Sequence, residues 1–138
     1  LLALTLRGAG DTAPAEPMPL AEARKVYAEG NFGEAARLFE QWSSANGPSP
    51  GVSFYRGVSR LKAGDIEHGL SDLAEAIASG EVPHAVEAHL YVAYGRLALR
   101  DAAAAREALE RYLDLEGDFT ADARRLLQQL PRTAPPPQ

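Results

Sequence analysis

Ala23-Arg24-Lys25-Val26-Tyr27-Ala28-Glu29-Gly30-Asn31-Phe32-Gly33-Glu34-Ala35 returns, changed but in step, as Gly57-Val58-Ser59-Arg60-Leu61-Lys62-Ala63-Gly64-Asp65-Ile66-Glu67-His68-Gly69. Each stretch starts on a small residue and runs seven steps to a glycine. A polar residue, an apolar residue, an acid-containing pair and a second small residue follow. Gly30 and Gly64 are 34 residues apart, and so are Ala35 and Gly69. A third copy runs from Ala93 to Ala105, its last residue 36 after Gly69; the connection Gly80-Glu81-Val82-Pro83-His84 accommodates the two extra residues. A fixed period near 34 marks an array of helix-turn-helix units, none able to bury its apolar face alone.

Hydrophobic periodicity supports this reading. Ala23, Val26 and Tyr27 form one stripe at helical spacing, and Ala35, Leu38, Phe39 and Trp42 form the next. Leu70, Leu73, Ala76 and Ile77 make the stripe of the second copy; Ala105, Ala108, Leu109, Tyr112 and Leu113 make that of the third. Gly30 and Gly64 suit the left-handed residue that closes a helix. Asn31, Asp65 and Asp101 stand where the following helix needs a capping oxygen. Arg100 occupies the glycine position of the third turn, which predicts a different turn there. Ser43-Ser44-Ala45-Asn46-Gly47-Pro48-Ser49-Pro50-Gly51 is a breaker cluster. Gly117 and Asp118 end a helix, and Thr120 is expected to cap a last one through Leu130, where Pro131 stops it. No stretch alternates like a strand. The expectation is therefore an all-α chain in three parts: an apolar then Pro-rich segment over 1–19, a repeat domain over 20–130 and a Pro-rich tail over 131–138.

Composition narrows the function. The 138 residues suit one domain with its own core. Without cysteine there are no disulfides or thiolate metal sites, and the redox compartment stays unread. A net charge of -5 argues against a nucleic-acid partner, which calls for a basic stripe. No apolar run is long enough to span a bilayer. Leu1-Leu2-Ala3-Leu4-Thr5-Leu6 leaves two readings open: the end of a signal or anchor segment, or an arm that docks on this domain or on a partner. Any membrane contact rests on that segment alone. It also tilts the expected location toward the periplasm or cell envelope over the cytoplasm.

These spacings resemble the tetratricopeptide repeat family over about Leu20 to Leu130. The residues that carry the resemblance are Ala23, Gly30, Phe32, Ala35 and Phe39; Tyr55, Gly57, Gly64, Ile66, Gly69, Leu73 and Ala76; and Ala93, Ala105 and Leu109. Arg60 and Arg96 depart from it, standing where the family has a large apolar residue or Tyr. The resemblance implies a right-handed superhelical stack of about three antiparallel helix pairs plus a C-terminal capping helix. It also implies an inner wall made by the first helix of each pair. Counted on that basis, the wall carries Arg24, Tyr27, Phe54, Tyr55, Val58, Leu61, Lys62, Leu90, Tyr91, Tyr94 and Leu97. Phe54 and Leu61 read as core. Arg24, Tyr27, Tyr55, Val58, Lys62, Tyr91 and Tyr94 form the expected groove, since tyrosine offers an apolar ring and a hydrogen-bonding tip. Some family members clamp a chaperone's terminal carboxylate with paired Lys, Arg and Asn. Here the Asn residues are missing and Glu87 is acidic, so that ligand is set aside in favour of a hydrophobic helix or extended segment.

Other constellations carry little. His84 and His89 are five apart and His68 lies on another helix, so they read as solvated or capping residues rather than a zinc pair. Glu34, Glu40, Asp65, Glu67, Asp72, Glu75, Glu107 and Glu110 read as a solvated face. No nucleophile elbow or phosphate loop is present. Arg60 and Arg96 recur 36 apart; the favoured reading is an ion pair or carbonyl contact inside the stack at each, and the other is that they face the groove and meet an acidic or carbonyl group of a partner. The expected function is a non-catalytic module, without cofactor or metal, that holds a partner polypeptide, with a cell-envelope assembly as its expected setting. The rival is a structural subunit bound to its neighbours through its terminal segments.

Overall fold

The computed structural model describes residues 18–131; the apolar start and most of the Pro-rich tail lie outside the described residues. Seven helices follow one another: α1 (Met18–Ala28), α2 (Phe32–Asn46), α3 (Pro50–Ala63), α4 (Ile66–Ser79), α5 (His84–Ala98), α6 (Ala102–Asp114) and α7 (Thr120–Gln129). No strand occurs among the described residues. Each helix packs on the next and α3 also meets α5, so three helix pairs stack in order with α7 laid on α6.

The three tight turns have one geometry. Gly30 and Gly64 are left-handed, at φ 83° and 98°. Arg100 takes the same conformation at φ 62°, so the third turn does not differ as its sequence suggested. In each, the N–H of the residue after the left-handed one reaches back five: Asn31 to the Val26 carbonyl at 3.0 Å, Asp65 to that of Arg60 at 2.8 Å, and Asp101 to that of Arg96 at 2.8 Å. This satisfies carbonyls the helix end leaves free. The cap expectation holds for Asp101, whose carboxylate accepts from the Ala104 N–H at 3.1 Å. It fails for Asn31 and Asp65, which make no side-chain cap bond; Asp65 instead faces His68 Nδ1 at 2.9 Å. The breaker cluster is also shorter than read. Pro50 and Gly51 are the first turn of α3, because Pro is pre-set for that position and the Ser49 hydroxyl accepts from Val52 N–H at 3.5 Å.

Packing is tightest between α3 and α4. A methyl group added at Gly57 would lie 3.0 Å from both the Gly69 carbonyl oxygen and Leu73 Cγ, so only glycine lets these backbones approach. The core is continuous along the stack. Ala23, Ala35, Leu38 and Phe39 fill the first pair; Phe54, Val58, Leu73 and Ala76 the second; Leu90, Ala93, Leu109 and Tyr112 the third. α7 closes the last cluster with Ala123, Leu126, Leu127 and Leu130. Glu87 ties the α6–α7 connection down. It accepts from the Tyr112 hydroxyl at 2.7 Å and from the Asp118 N–H at 3.2 Å.

Asp72 overturns the solvated-face reading for one carboxylate. It is 4% exposed and holds two guanidinium groups, Arg56 at 2.9 Å and Arg60 at 2.8 Å. Glu40 takes the other arm of Arg60 at 2.8 Å, and Ser53 donates to Glu75 at 2.9 Å. The network joins α2, α3 and α4. A buried carboxylate is tolerated only when paired in this way.

Candidate functional site

Residues three and four apart on a helix share a face, so the first helix of each pair can present an unbroken line of rings to its neighbours. Such a line exists. Phe32 meets Tyr27 at 5.5 Å between centroids, Tyr27 meets Tyr55 at 5.2 Å, and Tyr55 meets Phe54 at 5.2 Å. Phe54 meets Tyr91 at 5.7 Å, and Tyr91 meets Tyr94 at 5.7 Å. All five contacts are edge-to-face, the arrangement ring quadrupoles favour. The ladder starts at Phe32, the first residue of α2, crosses α1, α3 and α5, and ends at Tyr94, which is 39% exposed.

Two hollows flank it. One, of about 400 Å³, lies between Leu61, Lys62, Ile66, Tyr91, Tyr94 and Ala98. The other, of about 330 Å³, lies at the opposite end among Leu20, Arg24, Phe39, Trp42, Tyr55 and His84. The walls are apolar and aromatic, with a cation at each end. The Arg24 guanidinium stands 5.8 Å from the centre of the Tyr55 ring, and Lys62 Nζ is 5.1 Å from that of Phe32. Both are within cation–π range, which holds the charges over the rings. The indole Nε1 of Trp42 is shielded from solvent without a hydrogen-bond partner among the described residues.

Burial, with the neighbouring Tyr91 and Tyr55, pushes Tyr27 from 10.0 up to about 12. Burial also raises Tyr91 and Tyr94 above the usual tyrosine value. Their hydroxyls therefore remain donors at neutral pH.

Of the expected groove residues, Arg24, Tyr27, Tyr55, Lys62, Tyr91 and Tyr94 lie along the ladder or its hollows. Val58 does not. It is 0% exposed between α3 and α4, because its position on α3 faces Leu73 and Ala88 rather than the wall. Leu90 is buried for the same reason, packed on Leu109 and Tyr112. His84 was read as solvated or capping, yet its ring lies 5.0 Å from Phe54 and 5.5 Å from Tyr55. Phe39 and Trp42 belong to the second helix of the first pair and reach the groove floor; nothing in their spacing distinguishes them from core. No group of three or more His, Cys, Asp or Glu among the described residues is placed to hold a metal ion. No helix among them is long and apolar enough to cross a membrane.

Two solved structures share this architecture. The first TPR domain of Spaghetti (RPAP3), bound to the HSP90 peptide SRMEEVD, is 21% identical with a TM-score of 0.69, over 80% of this chain and 86% of that one. The Yersinia enterocolitica type III secretion chaperone SycD, in complex with a peptide of the translocator YopD, is 13% identical with a TM-score of 0.70, over 80% and 88%. No family model matches the sequence, and no curated protein matches it. The chain thus has the tetratricopeptide fold, a right-handed superhelical stack of helix pairs.

Proposed function

We propose that this chain is a non-catalytic module that holds a segment of another polypeptide against the aromatic ladder of α1, α3 and α5. The observation that carries the reading is the ladder itself, Phe32–Tyr27–Tyr55–Phe54–Tyr91–Tyr94, flanked by hollows of about 400 and 330 Å³. Rigid rings give contact area at little entropic cost, and a tyrosine hydroxyl can hydrogen bond to a peptide backbone. Both structural neighbours carry peptides, which supports a polypeptide ligand.

The chemistry favours an apolar or aromatic segment, helical or extended, over an acidic chaperone tail. Arg24 and Lys62 sit over rings at opposite ends of the groove, and no asparagine lines either hollow. The cell-envelope setting, with a periplasmic location, rests on the apolar Leu1–Leu6 segment alone. The rival, attachment through the terminal segments, uses residues outside those described.

A random peptide library selected on the immobilised full chain tests the reading. Enriched peptides should be rich in apolar residues. Tyr91→Ala should weaken them by about tenfold, the loss of one well-packed ring. Enrichment of peptides indifferent to Tyr91→Ala and Tyr94→Ser would defeat it.

A further inference from the structure

The second and third repeats align at an offset of 36, which sets Arg60 against Arg96, Asp72 against Ala108 and Glu75 against Arg111. In the second repeat the arginine is neutralised from within, at 2.8 Å from both Asp72 and Glu40. The third repeat keeps the arginine and loses those acids. Asp72 becomes Ala108, Glu75 becomes the cation Arg111, and Glu40's counterpart one repeat on is Ala74. A hollow of about 330 Å³ stands where the carboxylates are missing, lined by Arg96, Arg111, His89, Glu107, Val92 and Ala108 among others. Among the described residues, no carboxylate lies within ion-pair distance of Arg96 or Arg111. Burial first, and the nearby Arg111 charge second, hold His89 below its usual value. His89, Val92 and Arg96 lie on the side of α5 opposite Tyr91 and Tyr94, so this hollow is separate from the groove.

We infer that the hollow between α4, α5 and α6 is a second docking site, which takes an Asp or Glu side chain of a partner polypeptide through Arg96 and Arg111. The second repeat shows what fits: a protein carboxylate received by a guanidinium, as Asp72 is by Arg60. The apolar walls, Val92 and Ala108 with Ile77 and Ala104, suit the methylene stem of such a residue.

The test is fluorescence anisotropy of a fluorescein-labelled hexa-aspartate peptide, with hexa-asparagine as control, on the full chain at low salt. The aspartate peptide alone should bind, despite the chain's negative charge. Ala108→Asp, which supplies the missing acid from within, should weaken binding about tenfold, as should Arg96→Met and Arg111→Gln. Tyr94→Ser should leave it unchanged. Circular dichroism checks that each variant is folded. No binding by the folded wild-type chain would overturn the inference, as would binding indifferent to these three substitutions or lost with Tyr94→Ser. Displacement by inorganic phosphate, where acetate has no effect, would assign the hollow to a phosphorylated ligand and overturn it too.

Discussion

Arg60 and Arg96 occupy the same place in consecutive repeats, so replacing each with methionine is a controlled experiment on what the arginine does. Arg60 donates to Asp72 and to Glu40, both at 2.8 Å. The Asp72 side chain is 5% exposed, so its bond is charge-assisted and nearly dry, worth about 1.5–3 kcal/mol. Glu40 is 60% exposed, and solvent screening limits that bond to about 0–1 kcal/mol. Methionine keeps most of the aliphatic packing. Asp72 keeps Arg56 at 2.9 Å, so it is weakened rather than stranded. Together these give a loss of about 2–3 kcal/mol for Arg60→Met, a large part of a total stability of order 5–15 kcal/mol. Arg96 has no such partner, and Arg96→Met should stay within about 0.5 kcal/mol. Urea unfolding followed by circular dichroism measures both from midpoint and slope. Equal losses in the two variants, or a loss under about 1 kcal/mol for Arg60→Met, would refute the contrast.

Three further outcomes follow from the packing and the turns. Gly57→Ala places a methyl group 3.0 Å from Gly69 O and Leu73 Cγ and should cost about 1–3 kcal/mol in the same assay; a neutral result would mean that α3 and α4 can part freely. Arg100→Gly relieves a left-handed arginine, worth about 1–2 kcal/mol, against the extra chain entropy of glycine, about 0.5–1, so a gain of about 0.5–1 kcal/mol is expected, read as a higher urea midpoint. Tyr27 and Tyr112 are each raised from 10.0 to about 12, in both cases chiefly by burial. The folded chain holds these protons where the unfolded chain releases them. Their contribution is therefore intact below pH 10 and lost as pH rises toward 12. The urea midpoint should fall between those two values, and less steeply in Tyr27→Phe.

How much was legible in the sequence depends on whether a signal was local. Gly30 and Gly64 announced their turns because glycine has no rival for a left-handed residue. Arg100 did not, although it adopts the same φ, because the hydrogen bonds from Asp101 to Arg96 and from Arg100 to Leu97 hold it there. The ladder tyrosines were placed by the family resemblance, which assigns the inner wall to the first helix of each pair, together with the repeat register. Val58 was misplaced by the same counting, since one step along α3 separates the wall from the Leu73 interface and the repeat does not say which side a β-branched residue takes. Asp72 was read as solvated because its partner Arg60 lies 12 residues away, and only the fold brings the two together. His84 was missed because a histidine at the start of a helix looks like a cap; stacking on Phe54 is visible only once α3 and α5 are side by side.

The central claim is that the α1–α3–α5 face receives a polypeptide. Site-specific photo-crosslinking in the native cell tests it most directly, with a benzophenone side chain at Tyr94 on the ladder and, separately, at the exposed outer position Glu110. One discrete crosslinked protein is expected from Tyr94, and Glu110 should not capture it. Crosslinks from Glu110 with none from Tyr94 would contradict the claim.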